Sequence, residues 1–155
     1  MQARMQSPAL TLPGAFDALQ KLAQCAERAG LSRSLQELCN LRASQINGCA
    51  VCVEMHSRAL VKLGEPQERI FALAAWREAP YYTDAERAAL ALSEATTRIS
   101  DRADPVSDEI WQQAARHFEP PVLAALVLSI ATVNVWNRLN AATKQIGGAW
   151  TAQYV

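Results

Sequence analysis

Apolar residues in this chain recur at three- and four-residue intervals almost from end to end and nowhere alternate one by one. That period lines up one face of an α-helix, whereas a half-buried strand needs strict alternation. Phe16, Leu19, Leu22, Ala23 and Ala26 follow it between Gly14 and Gly30. Leu35, Leu38, Cys39 and Leu41 follow it up to the turn pair Asn47-Gly48. A third helix is expected from about Cys49 to Leu63, stopped by Gly64. A fourth should open at Pro66, which suits the first helical position, and end before Pro80. Thr83 with Glu86 reads as a capping box that opens a fifth helix through about Ile99. Beyond the polar stretch Ser100 to Val106, Ser107 caps a short helix to about Phe118. Pro120-Pro121 then open a long helix to about Ile146, ahead of Gly147-Gly148 and a loose tail. β-Branched residues are few. The expectation is an all-α fold: a single domain over 1–155, core about 14–147, of about six or seven helices.

A chain of 155 residues, half of them apolar, can bury a core without crosslinks. Fifteen basic residues balance fifteen acidic ones with no cluster, so the positive field of a nucleic-acid binder is missing. Met1 to Pro13 lacks the basic start and apolar core of a signal peptide. The longest apolar run, Val122 to Val135, carries Ser129, Thr132 and Asn134 and falls short of the ~20 residues that span a bilayer. A soluble, cytoplasmic protein with no nucleic-acid or membrane partner is expected. In that reducing compartment the four cysteines, Cys25, Cys39, Cys49 and Cys52, do not read as a disulfide scaffold. The close pair Cys49/Cys52 points to redox catalysis or to a metal.

The segment from Glu37 to His56 carries the chemistry. Cys49 follows the turn and Cys52 falls in the first turn of the next helix, so both sulfurs share a face within disulfide reach. Unpaired N–H groups and the positive dipole end at a helix start favour thiolate over thiol. Cys52 therefore has a reason to be reactive. His56 lies one turn further along the same face, where an imidazole can accept the thiol proton directly or through one water. If the two helices fold back about Asn47-Gly48, Glu37 and His56 each lie roughly 12–15 Å from the turn, level with one another. A carboxylate there would fix the imidazole tautomer and strengthen it as a base.

Other readings compete. Cys49, Cys52 and His56 could hold zinc with Cys39 or Glu37, although no second CxxC or HxxxH is present. Ser34 and Glu37 also fit a capping box. Glu54 should face solvent, Cys25 and Cys39 fall on apolar stripes as core thiols, and His117 suits a helix C-terminus. No glycine-rich loop follows a strand, so no flavin or nicotinamide site, and no metal, is expected.

Glu37, eleven intervening residues, then Cys49-x-x-Cys52-x-x-x-His56 resembles the active-site pattern of the alkylhydroperoxidase D (AhpD)-like branch of the carboxymuconolactone decarboxylase family. Leu41-Arg-Ala-Ser-Gln-Ile-Asn-Gly-Cys49, Pro80-Tyr-Tyr-Thr-Asp-Ala-Glu-Arg-Ala-Ala-Leu90 and Asn134-Val-Trp-Asn-Arg138 resemble it too, so the likeness spans most of Leu31 to Arg138. The resemblance implies an all-α fold with the pair at a helix start, assembly into homotrimers or homohexamers, and peroxidase chemistry. Cys52 matches the peroxidatic cysteine and Cys49 the resolving, more exposed one, closing a redox-active Cys49–Cys52 disulfide. His56 and Glu37 match the proton relay. Hydroperoxide is the implied substrate, and a dithiol, dihydrolipoamide or a thioredoxin-like protein, the implied reductant. Where the best-known members place a histidine between the cysteines, this chain has Val51, which cannot relay protons. Its length fits the compact members of the family, not the two-repeat ones.

Trp136, Asn137 and Arg138 either wall the active site or a subunit contact, or pack structurally, Trp136 in the core and the other two on nearby carbonyls. Two further functions stay open: a lactone decarboxylase, whose chemistry needs no vicinal dithiol, and a redox sensor or adaptor without sustained turnover.

Overall fold

In the computed structural model, which describes residues 1–101 and 103–148, every regular element among those residues is helical. In chain order they are α1 (Pro8–Thr11), α2 (Ala15–Glu27), α3 (Arg33–Asn47), α4 (Ala50–Lys62), α5 (Gln67–Ala72), a 3₁₀ turn (Leu73–Ala75), α6 (Asp84–Thr97), α7 (Asp108–His117) and α8 (Pro120–Thr143). The short α1 has no counterpart in the sequence reading. The expected tail, 149–155, lies outside the described residues.

Local chemistry explains most boundaries. The capping box forms: Thr83 Oγ1 accepts the Glu86 N–H at 3.3 Å, and Glu86 Oε2 accepts the Thr83 N–H at 2.8 Å. Ser107 Oγ caps α7 by accepting from Ile110. Pro66 is the N-cap of α5, one place before the expected position, and α5 gives way to the 3₁₀ turn well short of Pro80. Beyond the 3₁₀ turn the Arg87 guanidinium takes the carbonyls of Trp76, Arg77, Ala79 and Tyr82 and so holds the segment that leads to α6. The last helix stops at Thr143, short of Ile146. Lys144 turns left-handed (φ 53°), the Gln145 N–H returns to the Asn140 carbonyl at 3.0 Å and the Lys144 N–H to Ala141 at 3.2 Å, a Schellman closure made without glycine.

α3 runs through the middle, with α4, α6 and α8 packed along it; α2 covers α8 and α7 covers α6. Leu35 to Leu41 are buried without a break, so α3 is enclosed on all sides and has no solvent face there. Leu38, Leu41, Leu60, Leu73, Leu90, Leu92, Leu126 and Ile130 are fully enclosed. A polar seam sets the register of α8 on α3. Asn47 Nδ2 donates to Asn134 Oδ1 (2.9 Å) and Asn137 Oδ1 (2.8 Å), and Asn137 Nδ2 donates to Ser44 Oγ (3.1 Å). Ser129 Oγ donates to Asn40 Oδ1 at 3.2 Å. Buried amides with every partner in place leave little freedom to slide. At 24 residues, with an 18-residue stretch of mean hydropathy 1.6, α8 is long and apolar enough to cross a membrane, which the Val122 to Val135 run alone had not suggested. Here it is a packed bundle helix whose polar side chains bond to α3 and α6.

Candidate active site

Between α3 and α4 the chain reverses at Gly48, which takes φ 67°, ψ 28°, a left-handed conformation open to glycine at little cost. Cys49 then caps α4 in extended conformation, and its sulfur accepts the Cys52 N–H at 3.3 Å. Cys49 and Cys52 are joined as a disulfide, their Cα atoms 5.3 Å apart. Both are almost fully buried, at 3% and 1% exposure, so the greater exposure implied for Cys49 is absent in the single chain.

The antiparallel return sets Glu37 on α3 level with His56 on α4. The His56 Nδ1–H donates to Glu37 Oε2 across 2.6 Å, with both side chains buried. A carboxylate can only accept, so the proton belongs on Nδ1 and Nε2 is left as the basic nitrogen. Glu37 Oε1 meets Arg33 Nη2 at 2.8 Å, and Arg33 also pairs with Glu27 at the surface. The capping box that Ser34 and Glu37 offered as a competing reading does not form. The N-cap is Ser32, Ser34 bonds to Glu65, and Glu37 turns inward to the imidazole.

Cys52, His56 and Glu37 share the wall of a cavity of about 270 Å³, of which Cys49 is not a part. Val51, Met55, Val133 and Trp136 give it an apolar surface, and Asn40, Thr132 and Asn140 add polar groups. Phe16 meets Trp136 edge to face at 5.9 Å. Ser7 and Leu10 complete the wall, and their arm is anchored to the end of α8 by the Arg4 N–H on the Thr143 carbonyl (2.9 Å) and the Arg4 guanidinium on Ala142 (3.0 Å).

The four residues singled out in the sequence, Glu37, Cys49, Cys52 and His56, thus converge. Asn140 was not among them. Its Nδ2 donates to Cys52 Sγ at 3.3 Å and lies 3.8 Å from Cys49 Sγ. It stands 88 residues from Cys52, and only the packing of α8 brings it there. Trp136 divides the earlier alternatives: it is half-buried in the cavity wall, while Asn137 is buried in the α3–α8 seam and Arg138 bonds to the Asn134 carbonyl. Cys25 is exposed, against expectation. α2 turns Phe16 and Ala23 toward α8, and a residue two places beyond Ala23 points about 200° away. Cys39 is buried, and desolvation pushes its thiol far above the ordinary range, with Glu86 adding to the shift. Glu54 is not simply solvated: it is half-buried, bonded to Arg58 at 2.9 Å and to the Gly148 N–H. His117 is exposed in the last turn of α7. Among the described residues no three His, Cys, Asp or Glu side chains lie close enough together to hold a metal ion.

The uncharacterized protein YdfG of Bacillus subtilis (strain 168) is 39% identical over 116 residues, covering 75% of this chain and 78% of its own. An Agrobacterium tumefaciens protein of unknown function, for which an AhpD role in antioxidant defence has been suggested, superposes with a TM-score of 0.87 at 31% identity, over 96% of this chain and 99% of the other. The debrominase Bmp8 shares the fold at 22% identity, with a TM-score of 0.78 over 90% of this chain and 74% of its own. The family model for carboxymuconolactone decarboxylases matches residues 13–95, a stretch containing Glu37, both clustered cysteines and His56 but not α8. With that match over more than half its length and the accompanying AhpD-like helical fold, the chain belongs to the carboxymuconolactone decarboxylase family.

Proposed function

We propose that this chain is a thiol-dependent peroxidase that reduces hydroperoxides through a Cys49–Cys52 disulfide cycle. The observation that carries this reading is the buried Glu37–His56 pair in the wall of the cavity onto which Cys52 opens. His56 takes the Cys52 proton, aided by the Glu37 carboxylate at Nδ1, and the start of α4 favours the resulting thiolate. The Cys52 sulfur attacks the distal peroxide oxygen, the O–O bond breaks, and the departing alkoxide takes the proton held by His56. Cys52 is then a sulfenic acid. The Cys49 thiol attacks the oxidised sulfur, expels water and closes the disulfide. An external dithiol, dihydrolipoamide or one carried by a thioredoxin-like protein, supplies two electrons and two protons to restore both thiols. Assembly into a homotrimer or homohexamer belongs to the same reading.

Neither alternative gains an observation of its own. A lactone decarboxylase has no use for a disulfide that lays one sulfur, that of Cys52, on the wall of the cavity, and a sensor has no need of a base beside it. Steady-state assay with cumene hydroperoxide and excess dihydrolipoamide tests the choice. Sustained turnover that Cys52→Ser abolishes is the expected result. One stoichiometric oxidation without turnover would favour a sensor, and muconolactone decarboxylation retained by Cys52→Ser would replace the peroxidase reading.

A further inference from the structure

Asn140 reaches the sulfur pair from the last turn of α8, outside the span the family model matches. Its placement is built, not incidental. Asn137, one turn earlier, is wholly buried and bonded through its amide to Ser44 and Asn47, and the Asn140 carbonyl accepts the Gln145 N–H that closes the helix. The backbone is therefore fixed where the Asn140 Nδ2 lies 3.3 Å from Cys52 Sγ, with Cys49 Sγ further off at 3.8 Å. Asn140 also lines the cavity.

We propose that Asn140 is a catalytic hydrogen-bond donor of the dithiol centre, binding the Cys52 sulfur as thiolate before it attacks and again when it leaves during disulfide reduction. This rests on the reading of Cys52 as the nucleophile. An amide N–H binds a thiol or disulfide sulfur weakly and a thiolate strongly, so the contact stabilises the charged state selectively. The shorter distance selects Cys52 as the leaving sulfur. A thiolate of the external dithiol attacks Cys49 Sγ, the S–S bonding pair passes to Cys52, and Cys52 departs as thiolate toward the Asn140 N–H. The reductant's second thiolate then attacks its own sulfur in the mixed disulfide and releases Cys49 as thiolate, leaving the reductant as its disulfide.

Two assays that use no peroxide test the assignment, so their outcome is independent of whether peroxide is the oxidant. In the reduced protein, iodoacetamide modification of the Cys52 peptide is followed against pH by mass spectrometry; in the oxidised protein, the rate of disulfide reduction by dithiothreitol is measured. Asn140→Ala should raise the pH midpoint by about one unit, leaving roughly tenfold less thiolate at neutral pH, and slow reduction to a similar degree. Asn140→Asp, nearly the same size but negative, should move both further. Circular dichroism should show both variants folded, because the side chain is only half-buried. In the unaltered protein the Asn140 side-chain NH₂ resonances should titrate with the Cys52 midpoint, a readout that needs no variant. Unchanged midpoints in folded variants, or Asn140 resonances indifferent to Cys52 ionisation, would overturn the proposal.

Discussion

Replacing Glu37 by Gln removes one charge from the site and almost nothing else. The carboxamide oxygen can still accept the His56 Nδ1–H, so the ring keeps its place and tautomer. Arg33, which loses its partner at Oε1, is 49% exposed and can turn to water or to Glu27. What disappears is the charge-assisted character of a 2.6 Å bond between side chains that are 9% and 3% exposed. A hydrogen bond to a charged group contributes about 1.5–3 kcal/mol against about 0.5–1.5 for a neutral pair, so the loss is about 1–1.5 kcal/mol. At about 1.4 kcal/mol per tenfold, losing that much of the bond that holds His56 for proton transfer slows the relay roughly five- to tenfold. The direction follows from charge: without the carboxylate, transfer of the Cys52 proton is less favoured and the thiolate forms at higher pH. Stopped-flow measurement of the first step, peroxide consumed by pre-reduced protein over a range of pH, should show a five- to tenfold lower rate near neutrality and a profile displaced upward by about 0.7–1 pH unit. The melting temperature should change little. A folded Glu37→Gln protein with the parent's rate and profile would remove the carboxylate from the relay.

Glu94 offers a pH test unconnected with catalysis. Burial pushes its carboxyl up, but hydrogen bonds from Arg77, Arg42 and Trp76 outweigh that and hold it below its ordinary value near 4.5. A carboxylate depressed in the folded state contributes stability above its unfolded value and loses it as pH falls through the folded one. In calorimetry at pH 7, Glu94→Gln should therefore lie about 2 kcal/mol below the parent, roughly 4–8 °C in melting temperature, with the gap narrowing on acidification below about 4.5. Gly48→Ala meets no atom within 4 Å of the added carbon, so its effect should be the left-handed backbone alone, about 1–2 kcal/mol by urea denaturation. Asn at the same position should recover part of that loss.

The helical period of the apolar residues made the fold legible, as did local caps such as Thr83 with Glu86 and the turn glycine Gly48. The Glu37–His56 pairing was legible as well, because similar distances along two helices on either side of one reversal place two side chains roughly level whatever surrounds them. Departures came where a distant side chain overrules local propensity. His56 and Arg33 draw Glu37 away from the helix cap that its spacing from Ser34 suggested. Cys25 looked like a core thiol because a stripe shows only spacing, and which face of α2 meets α8 is decided by packing. Asn140 was out of reach for the same reason. No pattern in the sequence ties it to a cysteine 88 residues away until α8 is laid along α3.

The claim that peroxide reacts at Cys52 and not at Cys49 is tested most directly by removing each partner and trapping the product. Reduced Cys49→Ser and Cys52→Ser proteins are given one equivalent of hydroperoxide, treated with dimedone and mapped by mass spectrometry, with exposed Cys25 as the internal control. The cavity and the Glu37–His56 pair predict a sulfenic acid at Cys52 in Cys49→Ser and none above the Cys25 background in Cys52→Ser. A sulfenic acid at Cys49 in Cys52→Ser, with Cys52 unmodified in Cys49→Ser, would contradict it.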